Sequence, residues 1–388
     1  MALVTPRRSS GGVVASPPPA TPGVDAPRAS PTPTEAVRAG PTRVRRWSPT
    51  TWRWALGAVL GVIVAGLVGT LVGPAHLPVR GVVLELLDRL PLVRIHSGLT
   101  PNQATLLLQI RLPRVVLGGI VGGMLAASGA AYQGTFRNPL ADPYLLGVAA
   151  GSGLGATLVI VYGRGASSWP IDPLPLAAFT GGLAAVLVAY ALGSTADRER
   201  AATSIVLAGI AVAAFFTAVQ TYVQQRHTDL LREVYTWILG RLNGTSGWSA
   251  VRLVLPYVVV SSVVLLGARR HLDVLRTGED EAAALGVHVR RTRLVVVVAA
   301  TMGTAAVVAV SGLIGFVGII VPHIVRLVAG PSYRRLVPLS MAGGAAFLIL
   351  TDVAARTVVA PGELPIGVMT AFLGAPFFFV VLRSRRLR

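Results

Sequence analysis

Long apolar stretches, separated by short polar segments, run through most of this sequence. Ten such stretches fall near residues 54–73, 115–133, 143–162, 174–193, 203–222, 251–268, 294–310, 312–329, 336–358 and 364–382. Each is close in length to the ~20 residues with which an α-helix crosses a bilayer. The pattern predicts an all-α, polytopic membrane protein with ten transmembrane helices. The signal is weakest at 203–222, and 294–329 can form one long helix or two short ones divided at Ser311 and Gly312.

The composition agrees with a membrane protein. Of the 388 residues, 53% are hydrophobic and 13% are charged, with a mean hydropathy of +0.66, whereas about a quarter of a soluble domain is charged. The absence of cysteine excludes disulfides and thiol chemistry. All 35 basic residues are arginines, because the sequence contains no lysine. A P-loop requires a lysine that reaches the phosphates, so any work driven by a nucleotide needs a separate subunit.

Charge is distributed unevenly between the two sides of the predicted bundle. Most arginines lie in alternate connecting segments, at residues 1–53, 134–142, 193–202, 269–293, 326–335 and the C-terminus. The positive-inside rule then places both termini in the cytoplasm of a multi-pass plasma-membrane protein surrounded by membrane lipid. Residues 1–50 predict a disordered basic tail, followed by a transmembrane domain over 51–388. Because the arginines do not form one basic face, nucleic acid is not an expected partner.

Four blocks of sequence resemble the FecCD-type permeases of ABC importers, a family that takes up ferric siderophores, haem and vitamin B12. They are RLPR…GGMLAASGAAYQGTFRNPLADPYLLGVAAGSG (111–153), TWILGRL (236–242, with Arg241 where the family usually has serine), 311–340 and 352–382. The match runs in order over residues 52–385. The resemblance implies a bundle like that of the vitamin B12 importer permease, working as a dimer of identical or paralogous chains. It also implies two kinds of partner, a separate ABC ATPase subunit that carries the ATP and a substrate-binding lipoprotein.

Three arginines are candidates for docking the binding protein. Arg111 and Arg114 lie at the predicted outer end of the second span, and Arg356 lies at that of the ninth. The resemblance implies that they bind acidic residues of the binding protein, and the planar guanidinium suits carboxylates. Two alternatives stay open. The arginines can simply anchor the helices at the interface, and Arg356 can pair with Asp352, four residues earlier on the same helix face.

A short acidic helix is predicted between the sixth and seventh spans. Its three acids complement the helix dipole in the first turn, and a glycine ends it. The resemblance implies that this segment couples the permease to the ATPase, through Gly278, Glu279, Asp280, Glu281, Ala284, Leu285 and Gly286. The alternative is an ordinary solvated helix.

Polar residues at two predicted cytoplasmic turns are candidates for the pathway and its gate. They are Gln133, Asn138 and Pro139 after the second span, and Ser194, Thr195 and Thr203 around the fourth-to-fifth connection, which the resemblance implies is the gate. No catalytic, cofactor-binding or metal-binding constellation is predicted, because lone Ser-Gly pairs in apolar helices serve packing.

The predicted function is therefore that of a permease subunit which is not itself an enzyme. The favoured substrate is an iron–siderophore complex, with vitamin B12 or haem as alternatives. A secondary transporter driven by an ion gradient is the rival from another class. It predicts acidic or paired polar residues inside the spans, and Asp352 is the only plausible intramembrane acid. A membrane scaffold without transport would not need the acidic helix.

Overall fold

The computed structural model describes residues 49–73, 75, 77–89, 97–163, 172–195, 201–242 and 247–385. Within these ranges the chain is helical and contains no strand. The helices are α1 (Pro49–Leu71), α2 (Val79–Asp88), α3 (Pro101–Thr105), α4 (Leu112–Thr135), α5 (Val148–Tyr162), α6 (Pro173–Gly193), α7 (Ala201–Arg226), α8 (Leu231–Ile238), α9 (Gly247–Leu275), α10 (Glu279–Ala284), α11 (Val289–Ser311), α12 (Val317–Ala329), α13 (Tyr333–Ala355) and α14 (Ile366–Arg385). The predicted tail lies outside the described residues, apart from its last two.

The helices confirm the predicted all-α membrane fold. A π-helical turn, Leu106–Arg111, joins α3 to α4 in one continuous run. In the described part of the chain, this run and six other helices are long and apolar enough to cross a bilayer, namely α1, α6, α7, α9, α11 and α13. Three shorter apolar helices, α5, α12 and α14, occupy the other predicted stretches. Each predicted stretch therefore corresponds to a helix, including the weak one at 203–222.

The chain does break after Ser311, so the region 294–329 forms two helices. Gly312 (φ +68°) and Phe316 (φ +68°) both have left-handed backbones, which end α11 and delay α12. A Cβ on Gly312 would lie 2.1 Å from the carbonyl oxygen of Trp237, so only glycine fits there. The Tyr144 hydroxyl accepts from the Ile314 amide and donates to its carbonyl, both at 3.1 Å. This pairing lets irregular backbone lie among the spans.

Helix α4 lies at the centre of the bundle. Every residue from Val121 to Thr135 is buried, and the helix packs against α9, α11, α12 and α13. Small residues allow the close approach: a Cβ on Gly122 would lie 2.2 Å from the carbonyl oxygen of Gly344 on α13. Association of helices in lipid depends on such contacts between backbones. Helix α4 therefore fixes the relative positions of the residues at both of its ends.

Candidate functional site

One candidate site, the arginine cluster, consists of Arg111, Arg114, Asp352, Arg356 and Glu363. Arg111, only 4% exposed, donates from Nη1 to the carbonyls of Thr70 (3.1 Å) and Leu71 (3.2 Å) and from Nη2 to that of Ala75. Arg356, 3% exposed, donates from Nη2 to the Gly69 carbonyl at 2.6 Å. The carbonyls of Gly69, Thr70 and Leu71 are among the last of α1, which have no partner within the helix, whereas Ala75 lies in the segment that follows it. The two arginines thus cap the C-terminus of α1.

The other half of the arginine cluster is an ion-pair network. Arg114 binds Asp352 through Nε (3.0 Å to Oδ1) and Nη2 (2.8 Å to Oδ1). Its Nη1 and Nη2 also donate to the two carboxylate oxygens of Glu363, at 2.9 and 3.1 Å. The Nε of Arg356 lies 3.3 Å from Oδ2 of Asp352. One carboxylate, 3% exposed, therefore joins α4, the start of the loop after α13 and α13 itself.

The network bears on the predicted docking role of these arginines. The alternative pairing of Arg356 with Asp352 is present, and Arg111 points into the protein rather than outward. Arg114 and Glu363 are the more accessible pair, with side chains 13% and 31% exposed. Docking itself stays a prediction, and the geometry restricts it mainly to the outer rim formed by Arg114 and Glu363.

The predicted acidic helix is present as α10. Glu279, Asp280 and Glu281 form its first turn, and Leu285 is its C-cap. Gly286 (φ +82°) follows, with its amide bonded to the Ala283 carbonyl (2.9 Å) and the Val287 amide to that of Ala282 (3.0 Å). This is the glycine-terminated arrangement that satisfies the last carbonyls of a helix. Gly278, with φ +142°, precedes the helix in a backbone conformation that favours glycine.

Helix α10 is fixed on one side and free on the other. Ala282 is fully buried against the core, and Glu279 pairs with Arg293 of α11, whose side chain is 8% exposed. The opposite face is exposed and includes Asp280, Glu281, Ala284 and Leu285. Leu285 is 69% exposed. The helix thus presents two carboxylates and an apolar tip, while its other side is held by the rest of the chain. This arrangement suits the predicted contact with another protein.

Sequence reasoning missed a polar connection beside α10. Asp273, near the end of α9, accepts from the Ser332 hydroxyl (2.7 Å) and the Tyr333 amide (2.6 Å). It therefore caps the start of α13 from a distant helix. Arg276 donates to the Pro331 carbonyl at 3.1 Å in the same corner. In the sequence Asp273 lies in the predicted connecting segment 269–293, where an acid gives no indication of its partner.

The candidate pathway residues do not form one cluster. Gln133 is 1% exposed, donates to the Gly318 carbonyl at 3.2 Å and accepts from Arg326 at 2.5 Å. The Oδ1 of Asn138 accepts from the Leu140 amide at 2.9 Å, which forms the turn that contains Pro139. At the other turn, the hydroxyls of Ser194 and Thr195 bond carbonyls one turn back in α6, and Thr203 is exposed near the start of α7. Residues 196–200 lie outside the described chain, so the gate stays a prediction.

The turn after α4 also holds a carboxyl group without a cation. Oδ1 of Asp142 accepts from the Tyr144 amide at 2.8 Å. In the part of the chain that the structure describes, Asp142 makes no ion pair. Burial raises the pKa of its carboxyl group from the usual 3.8 to about 6, because the charged form loses hydration, and the backbone hydrogen bond opposes this only in part.

Comparison with known proteins gives a consistent result. The profile of the FecCD transport family matches residues 60–384. The cobalamin import system permease of Halobacterium salinarum is 44% identical, over 72% of this chain and 73% of its own length. The hemin transport system permease of Yersinia pestis is 39% identical, over 72% and 84%. A solved transporter described as of the metal-chelate ABC type, in an inward-facing conformation, aligns with a TM-score of 0.73 and 28% identity, covering 86% of this chain and 99% of that chain.

Proposed function

Because this chain belongs to the FecCD transport family, we propose that it is the permease subunit of a binding-protein-dependent ABC importer for a bulky metal chelate. The family is one of transport permeases of the membrane and not of enzymes. The chain lacks the lysine of a P-loop, so ATP is hydrolysed on a separate ABC ATPase subunit. A second permease chain, identical or paralogous, completes the pathway. Both termini face the cytoplasm.

The geometry of α10 is the observation that carries this proposal. A transmitting element has to be rigid towards its own subunit and accessible towards the partner. Ala282 and the Glu279–Arg293 pair meet the first condition, and Asp280, Glu281 and Leu285 meet the second. In the proposed orientation α10 is on the cytoplasmic side, where an ATPase is located. Movement of the ATPase then reaches α9 and α11, which flank α10 in the chain and the fold.

At the opposite end, the substrate-binding lipoprotein docks on the rim of the arginine cluster. We assign the contact to Arg114, whose side chain is 13% exposed, rather than to Arg111 or Arg356, which are capping α1. An incoming carboxylate competes with Glu363 for the Arg114 guanidinium. Since Asp352 holds the other edge of that group, the exchange leaves the fold of α13 intact.

The substrate is proposed from the relatives. Their names include cobalamin, hemin, iron(3+)-hydroxamate and iron(3+) dicitrate, all of which are metal chelates. An iron–siderophore complex is the first candidate. Cobalamin is the second, favoured by the 44% identity with the cobalamin permease of Halobacterium salinarum. Uptake of labelled ferric siderophore and labelled cobalamin into proteoliposomes that contain the complete importer distinguishes the two.

The rival mechanism, coupling to an ion gradient, is disfavoured by the position of Asp352. An ion-coupled carrier needs an intramembrane acid that changes its charge or partner during the cycle. Asp352 is held by Arg114 at 2.8 Å and lies 3.3 Å from Arg356. A carboxylate fixed between two cations is poorly suited to bind and release a third. Uptake that persists with a proton ionophore but stops with vanadate supports the ATP-driven mechanism, and the reverse result contradicts it.

The coupling role of α10 is tested by reversing its exposed charges. In Asp280→Arg/Glu281→Arg, the partly buried Glu279–Arg293 pair stays intact, so the permease is expected to fold normally. We expect at least about tenfold less ATPase subunit to copurify, a change of about 1.4 kcal/mol or more in binding. The matched control is Asp229→Arg, an exposed acid in the single 3₁₀ turn (Thr228–Leu230) that precedes α8. Unchanged ATPase binding in the double variant would remove the coupling assignment.

A further inference from the structure

A cavity of about 640 Å³ opens between α1, α4 and α13. Its walls are stripes of residues at helical spacing, such as Leu112, Val116 and Ile120 on α4. Ile63 and Leu67 of α1 line it while being 52% and 42% exposed, so it opens laterally to the surroundings of the bundle. Met124 of α4, which is fully buried, forms its floor. The cavity is therefore a groove that leads inward from the membrane-facing surface.

The groove is chemically uniform. Among the described residues that line it, Thr70 is the only one with a hydroxyl, amide or charged side chain. Its hydroxyl donates within α1, to the carbonyls of Gly66 (3.1 Å) and Leu67 (2.9 Å). Water needs two to four polar partners to be stable in a cavity, and the walls do not offer them. The occupant is therefore apolar.

The dimensions and the position of the groove identify the occupant. From Leu112 to Met124, α4 rises about 18 Å, close to the roughly 15 Å of hydrocarbon in one leaflet of a bilayer. The groove thus begins at the end of α4 that carries the arginine cluster and stops near the middle of the membrane. A hydrocarbon chain that enters from one leaflet has this length and direction.

An exposed arginine lies near the mouth of the groove. Leu86 of the short helix α2 lines the groove, and Arg89 follows three residues later on the same helix face. The Arg89 side chain is 64% exposed, and one of its guanidinium nitrogens lies 3.3 Å from the carboxylate of Glu85, which is only 10% exposed. A phosphate at the interface can therefore reach it. Because of this charge we commit to a phospholipid rather than to a neutral lipid.

We propose that this groove binds one acyl chain of a membrane phospholipid, with the lipid phosphate near Arg89. The bound chain fills the space between α1 and the α4–α13 pair, so it acts as a replaceable part of the packing of α1. This site does not depend on the proposed import function, since it follows from the groove and the membrane fold alone.

A substitution at Gly66 can block the groove without disturbing the rest of the protein. A Cβ added at Gly66 meets nothing within 4 Å, because it points into the groove. Gly66→Phe therefore places a ring where the acyl chain is proposed. Gly61 lies on the same helix, also has open space around it, and does not line the groove. Gly61→Phe is thus a control for the effect of a new ring on α1.

The experiment uses the full chain in nanodiscs that contain phosphatidylglycerol with a photoreactive diazirine on its acyl chain. Mass spectrometry then locates the adducts. We expect labelling at Met124 and Val115, which are 0% and 6% exposed, and a several-fold loss of it in Gly66→Phe but not in Gly61→Phe. Labelling confined to the outward residues of α1, such as Val59 and Leu60, would show ordinary surface lipid and overturn the proposal.

A second measurement tests the phospholipid assignment. A diazirine diacylglycerol with the same chains lacks the phosphate. We expect it to label Met124 several-fold less than the phospholipid does, and Arg89→Gln to remove that difference. Equal labelling by the two probes in the unchanged protein would overturn the role of Arg89 and the choice of a phospholipid. Since neither readout involves transport, failure here leaves the proposed function standing, and loss of transport leaves the groove standing.

Discussion

Arg111 and Arg356 at one end of the bundle are 4% and 3% exposed, whereas Asp280 and Glu281 at the other end extend from the surface. The two arginines donate hydrogen bonds to carbonyls of α1, and Arg356 also forms an ion pair with Asp352. The two acids leave their carboxylates accessible on α10. Charge that is buried and paired inside one chain mainly holds that chain together, while charge on a rigid exposed base is available to a partner.

The same comparison separates residues that looked equivalent in the sequence. Arg111 and Arg114 are three positions apart, yet one faces α1 and the other faces Asp352 and Glu363. Within α10, Glu279 turns to Arg293, while Asp280 points outward. In both segments, neighbouring charges divide between holding the fold and facing a possible partner. The predictions below test that division.

The largest expected effect is that of Asp352→Asn. The change leaves Arg114 and Arg356 without their shared carboxylate, and breaking a buried ion pair from one side costs about 3–5 kcal/mol. We expect a large drop in the thermal midpoint of the full chain in detergent. The matched control is Asp280→Asn on α10, an exposed acid for which a change within about 0.5 kcal/mol is expected. Equal shifts in the two variants would contradict the division between buried and exposed charge.

Most of the fold could be predicted from the sequence, because apolar stretches of membrane-crossing length are a strong signal. All ten predicted stretches correspond to helices. The starts of α5 and α12 were less predictable: they lie at Val148 and Val317, five residues after the predicted starts. Left-handed backbones at Gly147 and Phe316 delay both helices. Phe316 is the harder case, since its side chain disfavours that conformation and gives no local signal.

The candidate sites were predictable only where they are local. Helix α10 follows from residues 278–286 alone, because its acids and its glycine act within one short segment. The arginine cluster is different: Arg114 is 238 positions from Asp352 and 249 from Glu363. Its contacts depend on how α4 and α13 pack. The pairing of Asp352 with Arg356 could be predicted as an alternative to docking, because the two residues are four positions apart on one helix.

A smaller effect is expected when Arg111 is changed to Met, which keeps much of the side-chain volume and removes the donors. The carbonyls of Thr70 and Leu71 then lose their partner, and an unsatisfied buried polar group costs about 1–3 kcal/mol. We expect faster hydrogen exchange over the last turn of α1 and unchanged binding-protein affinity. Arg114→Met is the matched comparison and should weaken docking, more so at low salt. Loss of docking in the Arg111 variant instead would make that residue part of the interface.

The smallest effect concerns Asp142, a partly buried carboxyl group without the cations that Asp352 has. Its pKa is raised by burial to about 6 from the usual 3.8, so its protonated form is favoured by the fold. Its contribution to stability is therefore complete below about pH 4 and is lost as the pH rises through about 6.

Asp142→Asn keeps the acceptor for the Tyr144 amide and removes the charge. The full pKa shift corresponds to about 3 kcal/mol in the free energy of unfolding. Because the carboxyl group is partly exposed and therefore screened by solvent, we expect about 1 kcal/mol. We expect the variant to match the unchanged protein in thermal midpoint at pH 4 and to exceed it by a few degrees at pH 8. Asp280→Asn, at an exposed acid, should show no such difference between the two pH values. A midpoint gain for Asp142→Asn that is equal at pH 4 and pH 8 would show that the carboxyl group does not titrate between them. The contrast between an acid that is paired with arginines and one that is not would then have no basis.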